Sequence, residues 1–393
     1  MEHVSPYITA LFAALLVVMI LGLALEEKIH AKKSVIVGVA AMLALFLASV
    51  FGLVHKETVE ILGHSITLPV YIPGVDWEVI AIILGSSIFV DVTSKSGLFS
   101  WIAIRLTKLS GGDPLRLLIF YGVMTVVFSA VLNNVTAMII VGTLSAVSLG
   151  KLGRPDILLG FLLVEGLLTN VGGMLTLISS VPNIIVGNAA GISFVEFFIK
   201  ASPYVLVATA MTIWMGAKLF RIQPLASDEA RADAAALVAG FDENDGIESK
   251  NFFWFGAIMT GLFITAMATA SITPWIRDLG LGYVALAFAA MALTRVKSTA
   301  DQFYRAIDWD LLAFFGCLFI VINMMEHALV LEVIGHLLEP VMALGDKAGT
   351  GALLFAAAVA SSVTDNIPLA AMLAKILGGM NLPPDSSFWW AVI

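Results

Sequence analysis

Charge is scarce in this chain of 393 residues, because Asp, Glu, Lys and Arg together make up only 13%. A soluble domain carries about 25% charged residues. Hydrophobic residues make up 60%, and they fall in runs of roughly 20, the length with which an α-helix crosses a bilayer. The scarcity of charge excludes a soluble globular core. It predicts an all-α polytopic protein of the plasma or inner membrane.

Cysteine is nearly absent, since Cys317 is the single one, and this excludes an intrachain disulfide and a cysteine-bound metal. The six histidines lack metal-ligand spacing, and no Walker loop is present, which argues against direct ATP drive. The net charge of −8 is carried chiefly by 228–248 and gives no indication of nucleic-acid binding. We therefore expect no enzyme activity, no cofactor, and no metal beyond a transported Na⁺.

The apolar runs predict a series of membrane spans. We interpret 7–25 as the first span rather than as a cleaved signal peptide. The basic loop 26–33 that follows it should be cytoplasmic, which places the N-terminus outside. The later spans are expected at 34–54, 77–95, from Pro155 onward, and at 194–219, 251–271, 281–294 and 309–327. Between them we expect an outer loop at 55–76 and amphipathic segments at 96–109 and 328–345. We also expect a cytoplasmic linker at 222–250 that contains a surface helix at 226–239.

Two apolar stretches are interrupted by polar groups. The stretch 117–150 contains Asn133-Asn134-Val-Thr136 near its centre and has basic residues at both ends. Polar groups in hydrocarbon are costly unless they are bonded or face a cavity. We expect a re-entrant hairpin whose polar tip lies at mid-depth, with one long kinked helix as the alternative. A second such hairpin is expected at 349–378, interrupted by Ser361-Ser-Val-Thr-Asp-Asn-Ile-Pro368.

The run that starts at Pro155 predicts a broken transmembrane helix. It is interrupted by Asn170-Val-Gly-Gly173 and again by Ser179-Ser-Val-Pro-Asn183, with Met174–Ile178 between the two interruptions. Asn, paired Gly and Pro inside one span are typical of the discontinuous helices of transporters.

The two halves of the chain match at one constant separation of 232 positions. Asp76-Trp77 pairs with Asp308-Trp309 (76 to 308), and Asn133-Asn134 pairs with Asp365-Asn366 (133 to 365). The basic loops make the spans after 76 and 308 run in opposite directions, so the repeats should be inverted. We expect a first repeat at 1–221 and a second at 251–393. Counterparts of the first broken helix would fall beyond 393, so we expect the natural protein to be longer.

Three acids in apolar runs are candidates for ion coupling. Asp365 stands at a hairpin tip, where it should bind a cation or carry a proton, or else cap the helix that follows. Asp91 lies four residues before Lys95, so an ion pair within one helix is the alternative to a functional role. Glu165 lies shortly before Asn170; it could carry a proton, or it could hydrogen-bond the unwound segment.

The segments LNNVTAM at 132–138, VTDNIPLAAM at 363–372 and TNVGGMLTLISSVPNIIVGNAAGISF at 169–194 resemble the ion transporter superfamily. The branch they resemble contains arsenite permeases, NhaD-type sodium/proton antiporters, citrate transporter-like proteins and the P protein. The resemblance implies two re-entrant hairpins, two broken helices and a homodimer. It also implies that the residues binding substrate or ion are Asn133, Asn134, Thr136, Asn170, Gly172, Gly173, Pro182 and Asn183 in one half-site, and Thr364, Asp365, Asn366 and Pro368 in the other.

Three functions fit these patterns. The first is a secondary permease, coupled to Na⁺ or H⁺, that moves a small anion, oxyanion or organic acid by alternating access. The second is a cation/proton antiporter, favoured by Asp91, Glu165 and Asp365. The third is a channel or the membrane subunit of an ATPase-driven pump. Paired inverted elements with broken helices are typical of secondary transporters, and they favour the first two.

Overall fold

The computed structural model describes residues 4–54, 57–61, 64–69, 71–132, 134–362, 364–380 and 382–393. This part of the chain is helical apart from one β-hairpin and the connecting turns. The helices are α1 Pro6–Ala24, α2 Glu26–Ile29, α3 Lys33–Val50, α4 Trp77–Ser94, α5 Leu98–Ser110, α6 Pro114–Ser129, α7 Asn134–Lys151, α8 Leu158–Gly173, α9 Val181–Ala190, α10 Phe194–Leu219, α11 Asp228–Ala239, α12 Lys250–Thr269, α13 Pro274–Arg295, α14 Ala300–Ala306, α15 Trp309–His327, α16 Val330–Met342, α17 Asp346–Ser361, α18 Asn366–Gly379 and α19 Ser387–Val392.

Eight helices in the described residues are long and apolar enough to cross a membrane, which confirms the prediction of an all-α polytopic fold. They are α1, α3, α4, α8 with the 3₁₀ turn Pro155–Ile157 before it, α10, α12, α13 and α15. The span expected at 281–294 forms the second part of α13. That helix begins earlier, at Pro274, and is interrupted at Gly280, whose φ of 78° is open to glycine and strained for other residues.

Part of the segment expected as an outer loop at 55–76 is a two-stranded antiparallel sheet. Strand β1 covers Glu57–Ile61 and β2 covers His64–Leu68, with Thr58 opposite Thr67 and Val59 opposite Ile66. The sheet lies within the connection between two spans, and the placement of this connection outside the membrane stays a prediction. β-Branched residues occupy these facing positions, and such residues favour the pleated conformation.

The chain divides into two compact units, which are described separately. The first unit comprises Met1–Ile83, Ile184–Ile192 and Asp308–Ile393. The second unit comprises Leu84–Asn183 and Ser193–Ile307. This division follows contacts between residues and does not test the inverted repeats at 1–221 and 251–393, which stay a prediction.

In the first unit, α3 packs along α15 through small residues. Ala40, Ala41 and Ala44 are buried in α3, and a β-carbon added to Gly38 would lie only 3.7 Å from Cys317 Sγ. The Ser34 hydroxyl at the start of α3 donates to Asp310 near the start of α15 at 2.5 Å. The first turns of the two helices therefore lie side by side, and small residues allow their backbones to approach.

In the second unit, α8 packs against α6, α7 and α10. Glycines mark the closest approaches. A β-carbon at Gly216 of α10 would lie 2.2 Å from Val164 Cγ2 of α8, and one at Gly122 of α6 would lie 2.8 Å from Ile213 Cδ1 of α10. The first hairpin and the first half of the broken helix are thereby packed as one cluster, which positions the polar tip described below.

The linker 222–250 packs over the ends of α5 and α7 within the second unit. Its helix α11 corresponds to the surface helix expected at 226–239. Val238 and Phe241 form a buried apolar cluster with Ile104 of α5. Glu243 accepts hydrogen bonds from Arg105 at 3.0 Å and Lys108 at 3.2 Å. The linker is therefore fixed to α5 by both apolar and ionic contacts.

Candidate functional site

The tip of the first hairpin is a compact group of polar side chains between α6 and α7. The Ser129 hydroxyl lies 2.7 Å from Asn134 Oδ1 and 2.6 Å from the carbonyl oxygen of Thr169 in α8, so that its single proton is shared between two acceptors. The Asn134 amide donates to Asn170 Oδ1 at 3.4 Å. Two of the predicted site residues, Asn134 and Asn170, are thus brought together. Asn133 lies outside the described residues.

The glycines at the end of α8 make room for this tip. A β-carbon at Gly172 would lie 2.5 Å from the carbonyl oxygen of Val126, and one at Gly173 would lie 3.1 Å from Asn134 Oδ1. Both predicted glycines therefore act through the absence of a side chain. Thr136 lies in the first turn of α7, beside Asn134.

The break in the transmembrane helix agrees in part with the two expected interruptions. The segment Asn170-Val-Gly-Gly173, predicted as a break, is the last turn of α8, whereas the non-helical segment is 174–180, which includes the first two residues of the second expected interruption at 179–183. Consecutive glycines are tolerated in a final turn, where few intrahelical hydrogen bonds remain to be lost. Helix α9 resumes at Val181, and Pro182 lies in its first turn, where proline lacks no needed donor.

Side chains bond the backbone groups that this break leaves free. Thr176 donates to the carbonyl oxygen of Ala130 at 2.6 Å, and Ser179 donates to that of Gly173 at 2.7 Å. The buried amide of Asn183 donates to the carbonyl oxygens of Gly173 at 2.8 Å and Thr176 at 3.0 Å. Asn183 therefore holds the break together. A ligand role for it stays a prediction.

The tip of the second hairpin, between α17 and α18, repeats one of these contacts. The Ser361 hydroxyl donates to Asn366 Oδ1 at 2.5 Å, and both residues lie 232 positions after Ser129 and Asn134 (129 to 361, 134 to 366). The Thr364 hydroxyl donates to the carbonyl oxygen of Ala360 at 2.7 Å. A serine five residues before an asparagine at both tips was available in the sequence as a signal for this bond.

Asp365 is held by two contacts at the start of α18. Its Oδ1 accepts from the backbone N–H of Ile367 at 2.9 Å, which caps the helix, and its Oδ2 accepts from Lys33 Nζ at 2.5 Å. Pro368 is buried in the same first turn. Lys33 is the first residue of α3 and also lies 3.7 Å from Glu26. Asp365 therefore contacts a cation that belongs to the chain itself, the Lys33 ammonium. It also caps the helix that follows, which was the alternative role predicted for it.

Lys33 was not predicted as part of the site. It borders a cleft of about 600 Å³ in the first unit, lined also by Glu26, Glu27, His30, Asp308 and Asp310. The sequence signal was the basic loop at 26–33, which was used only to orient the chain. Ion pairing across 332 positions leaves no trace in the pattern of one sequence.

Two further acids lie in the second unit, Glu165 fully buried and Asp91 partly buried. Glu165 of α8 has no exposed surface, and it accepts a short hydrogen bond from the Ser145 hydroxyl of α7. Glu165 Oε2 and Asp91 Oδ2 are buried with no hydrogen-bond partner among the described residues. The ion pair expected between Asp91 and Lys95 is not formed in that part of the chain, because the Lys95 ammonium lies 4.1 Å from the centre of the Phe303 ring.

No group of three or more His, Cys, Asp or Glu side chains that could hold a metal ion occurs within the described ranges. The polar groups at the two tips are instead amides, hydroxyls and one carboxylate. Such groups suit the transient binding of a small ion, and they lie where one helix ends and another begins.

Eight spans with two polar-tipped helical hairpins and a broken helix define a polytopic membrane transporter. A family model described as "Citrate transporter" matches residues 1–393, and the chain belongs to this family. The family is a class of transporters within the ion transporter superfamily and not a class of enzymes.

Curated relatives agree with this assignment. An uncharacterized transporter of Mycobacterium tuberculosis is 29% identical over 325 residues, which cover 81% of this chain and 73% of that protein. A 46 kDa membrane protein of Mycobacterium leprae is 28% identical over 364 residues, covering 88% and 80%. The P protein of Mus musculus is 22% identical over 460 residues, covering 96% of this chain and 54% of the mouse protein. The predicted resemblance is confirmed.

Proposed function

We propose that this protein is a secondary transporter that moves a small anion, of the carboxylate class that the family description names, coupled to Na⁺ or H⁺. The observation that carries the proposal is the recurring Ser–Asn contact at the starts of α7 and α18. The N–H groups in the first turn of a helix have no intrahelical partners and carry partial positive charge, which favours an anion. The neutral amides and hydroxyls beside them orient a carboxylate without binding it irreversibly.

The predicted site remains the set of residues at the two tips and the break. Of these, Asn134, Asn170 and Gly173 are the members that lie against one another. The coupling ion is carried by one of the acids Asp365, Glu165 and Asp91. We expect the working protein to be a homodimer in the plasma or inner membrane, with the N-terminus outside and the linker 222–250 in the cytoplasm.

A cation/proton antiporter is the second candidate, and one contact favours it. Asp365 binds the ammonium of Lys33 at 2.5 Å, so the second tip is already built to hold a positive charge. A free cation that replaced Lys33 would find the same carboxylate. A channel or pump subunit has no specific observation in its favour.

The test is transport by the purified protein in proteoliposomes. Uptake of labelled citrate, succinate and arsenite is measured with a Na⁺ gradient, a pH gradient or neither, while an internal dye reports proton movement. We expect gradient-driven uptake of a carboxylate. Both Ser129→Ala and Asn134→Ala should reduce it, whereas Asn244→Ala in the linker, whose side chain contacts Asp242, should not. Na⁺-driven proton movement without uptake of any anion would contradict the permease and support the antiporter.

A further inference from the structure

The carboxyl group of Glu165 differs from the other acids of the membrane spans because it is both fully buried and without a cationic partner among the described residues. Glu165 has no exposed surface, Oε1 accepts from Ser145, and Oε2 has no hydrogen-bond partner in the part of the chain that the structure describes. We propose that Glu165 is the residue at which the transporter binds a proton. This inference rests on the proposed function for its coupling role, but proton binding can be measured without transport.

The physical argument is the cost of an unpaired charge in a water-free site. An ionised carboxylate is stabilised there only by a cation or by several hydrogen-bond donors, and its alternative is to bind a proton. Glu165 has one hydroxyl donor and forms no ion pair within the described residues. Asp365 by contrast has the ammonium of Lys33 at 2.5 Å. Asp91 is only partly buried and interacts electrostatically with Lys95, which follows the end of its helix.

The charged and titratable groups around Glu165 do not replace a counterion. From α6, Tyr121 is the titratable side chain that interacts electrostatically with Glu165, and it is neutral as a phenol. The remaining charges on the packed elements lie toward their ends: Arg116 in α6, Lys151 in α7, Glu196, Lys200 and Lys218 in α10, and Asp156 in the turn before α8.

Ser145 is a positioning residue that ties proton exchange to the first hairpin. It belongs to α7, the second arm of that hairpin, and it contacts α8 on the side where Glu165 lies. Farther along α8, Asn170 Oδ1 accepts from the amide of Asn134, which lies at the start of the same arm, at 3.4 Å. Because the same arm contacts both points, a movement of α7 away from α8 would open the tip and give Glu165 access to water.

The neighbouring Ser148 supplies a matched control. It lies one turn after Ser145 on α7, but its hydroxyl bonds Tyr121 at 2.8 Å, and Tyr121 in turn bonds Thr107 at 2.5 Å. All three residues are buried. This second network joins α5, α6 and α7 without a hydrogen bond to the carboxyl group, which it reaches only electrostatically through Tyr121, so its loss tests the packing of these helices without removing a donor from Glu165.

The experiment is pH-difference infrared spectroscopy of the full chain in lipid nanodiscs. We expect a carbonyl band of a protonated carboxyl group that titrates with pH. The band should be lost in Glu165→Gln and shifted in frequency in Ser145→Ala, and it should be unchanged in Ser148→Ala. Thermal unfolding and gel filtration identify variants that fail to fold, and isotope-edited spectra of wild-type protein with ¹³C-labelled glutamate then assign the band to a glutamate instead.

Each outcome decides the proposal. A wild type without a titrating carboxyl band would overturn it, as would a band that persists in Glu165→Gln. In proteoliposomes, anion uptake by the wild type should vary with an imposed pH gradient, and that dependence should disappear in Glu165→Gln. If the titrating band is present but no anion is taken up, the proposed permease fails while the proton site stands.

Discussion

At the scale of single residues, the ion pair of Lys33 and Asp365 combines several contributions to stability. The Lys33 side chain is 40% exposed and that of Asp365 is 13% exposed, so the pair lies between a surface and a buried salt bridge. Asp365 also caps α18 through Ile367. A change at Asp365 therefore removes the ion pair and the helix cap, whereas a change at Lys33 removes its ionic contacts with Asp365 and Glu26 and leaves the Asp365 carboxylate without its cation.

We expect Lys33→Ala to destabilise the protein by about 1–2 kcal/mol, above the ~0.2–1 kcal/mol of an exposed pair and below the 3–5 kcal/mol of a fully buried one. The reason is the uncompensated Asp365 carboxylate. Combining Lys33→Ala with Asp365→Asn should recover part of that loss, because the amide carries no charge. Thermal unfolding in detergent of both single variants and the double variant measures this. Strictly additive effects would show that the pair contributes no coupling energy.

At the scale of elements, the contact of α6 with α8 depends on one glycine. A β-carbon at Gly172 would meet the carbonyl oxygen of Val126 at 2.5 Å and Ser129 Cβ at 2.8 Å. Backbone cannot yield as a flexible side chain does. We expect Gly172→Ala to cost about 1–3 kcal/mol through overpacking and to reduce anion uptake, because it displaces the tip. Thermal unfolding and uptake are the measurements.

Gly166→Ala is the control for that substitution on the same helix. No atom outside the adjoining chain would come within 4 Å of the added carbon, and alanine is the better helix former. It should leave stability equal or slightly higher and uptake unchanged. Equal losses of stability and uptake at Gly166 and Gly172 would show that α8 tolerates no added methyl group at either position. The close contact of Gly172 with α6 would then not explain the effect.

The linker offers a second test at this scale. Hydrogen bonds from Lys108 and Arg105 lower the pKa of Glu243 below its ordinary value of 4.5, although burial opposes them. Because the folded-state pKa is the lower one, the contribution of Glu243 to stability is present above 4.5 and is lost as the pH falls through the lowered value. The protection of 240–248 against hydrogen exchange, corrected for the intrinsic exchange rate at each pH and followed well below 4.5, should fall in that window.

Glu243→Gln should show the faster exchange already at neutral pH, and added salt should accelerate exchange in the wild type, since exposed ion pairs are screened. Asp228→Asn is the control, because the Asp228 side chain is 98% exposed and contacts only Arg231 of its own helix among the described contacts. If both variants exchange alike, the contact of Glu243 with α5 does not hold the linker.

The elements show which features a single sequence can reveal. Hydrophobic runs of bilayer length predicted the spans, and polar interruptions predicted the turns between α6 and α7 and between α17 and α18, because burial of polar groups is costly. That these helix pairs are re-entrant stays a prediction. The interruption expected at 179–183 overlaps the observed break, but the one expected at 170–173 was wrong, because Gly172 and Gly173 serve close packing rather than unwinding. The β-hairpin was not predicted, because its two strands are short. The Lys33–Asp365 pair depends on tertiary packing that no local pattern contains.

At the scale of the whole molecule, the orientation in the membrane follows from charge, and it stays a prediction. The loop 26–33 and the ends of α7, α10 and α13 carry the basic residues, which positive-inside statistics place in the cytoplasm. The β-hairpin would then lie outside and α11 inside. Every argument about which gradient drives transport depends on this assignment, since an inward and an outward proton gradient act on opposite faces.

Cysteine labelling tests that orientation directly, because Cys317 is the single native cysteine. On a Cys317→Ser background, a membrane-impermeant maleimide should label Ser65→Cys in intact cells. Ala235→Cys should react only after permeabilisation, since both positions are exposed on the protein but are predicted on opposite sides. The background protein alone must remain unlabelled. Labelling of Ala235→Cys in intact cells, with Ser65→Cys protected, would invert the topology. The first hairpin would then enter from the outer face, and the gradient that drives uptake would have the opposite sign.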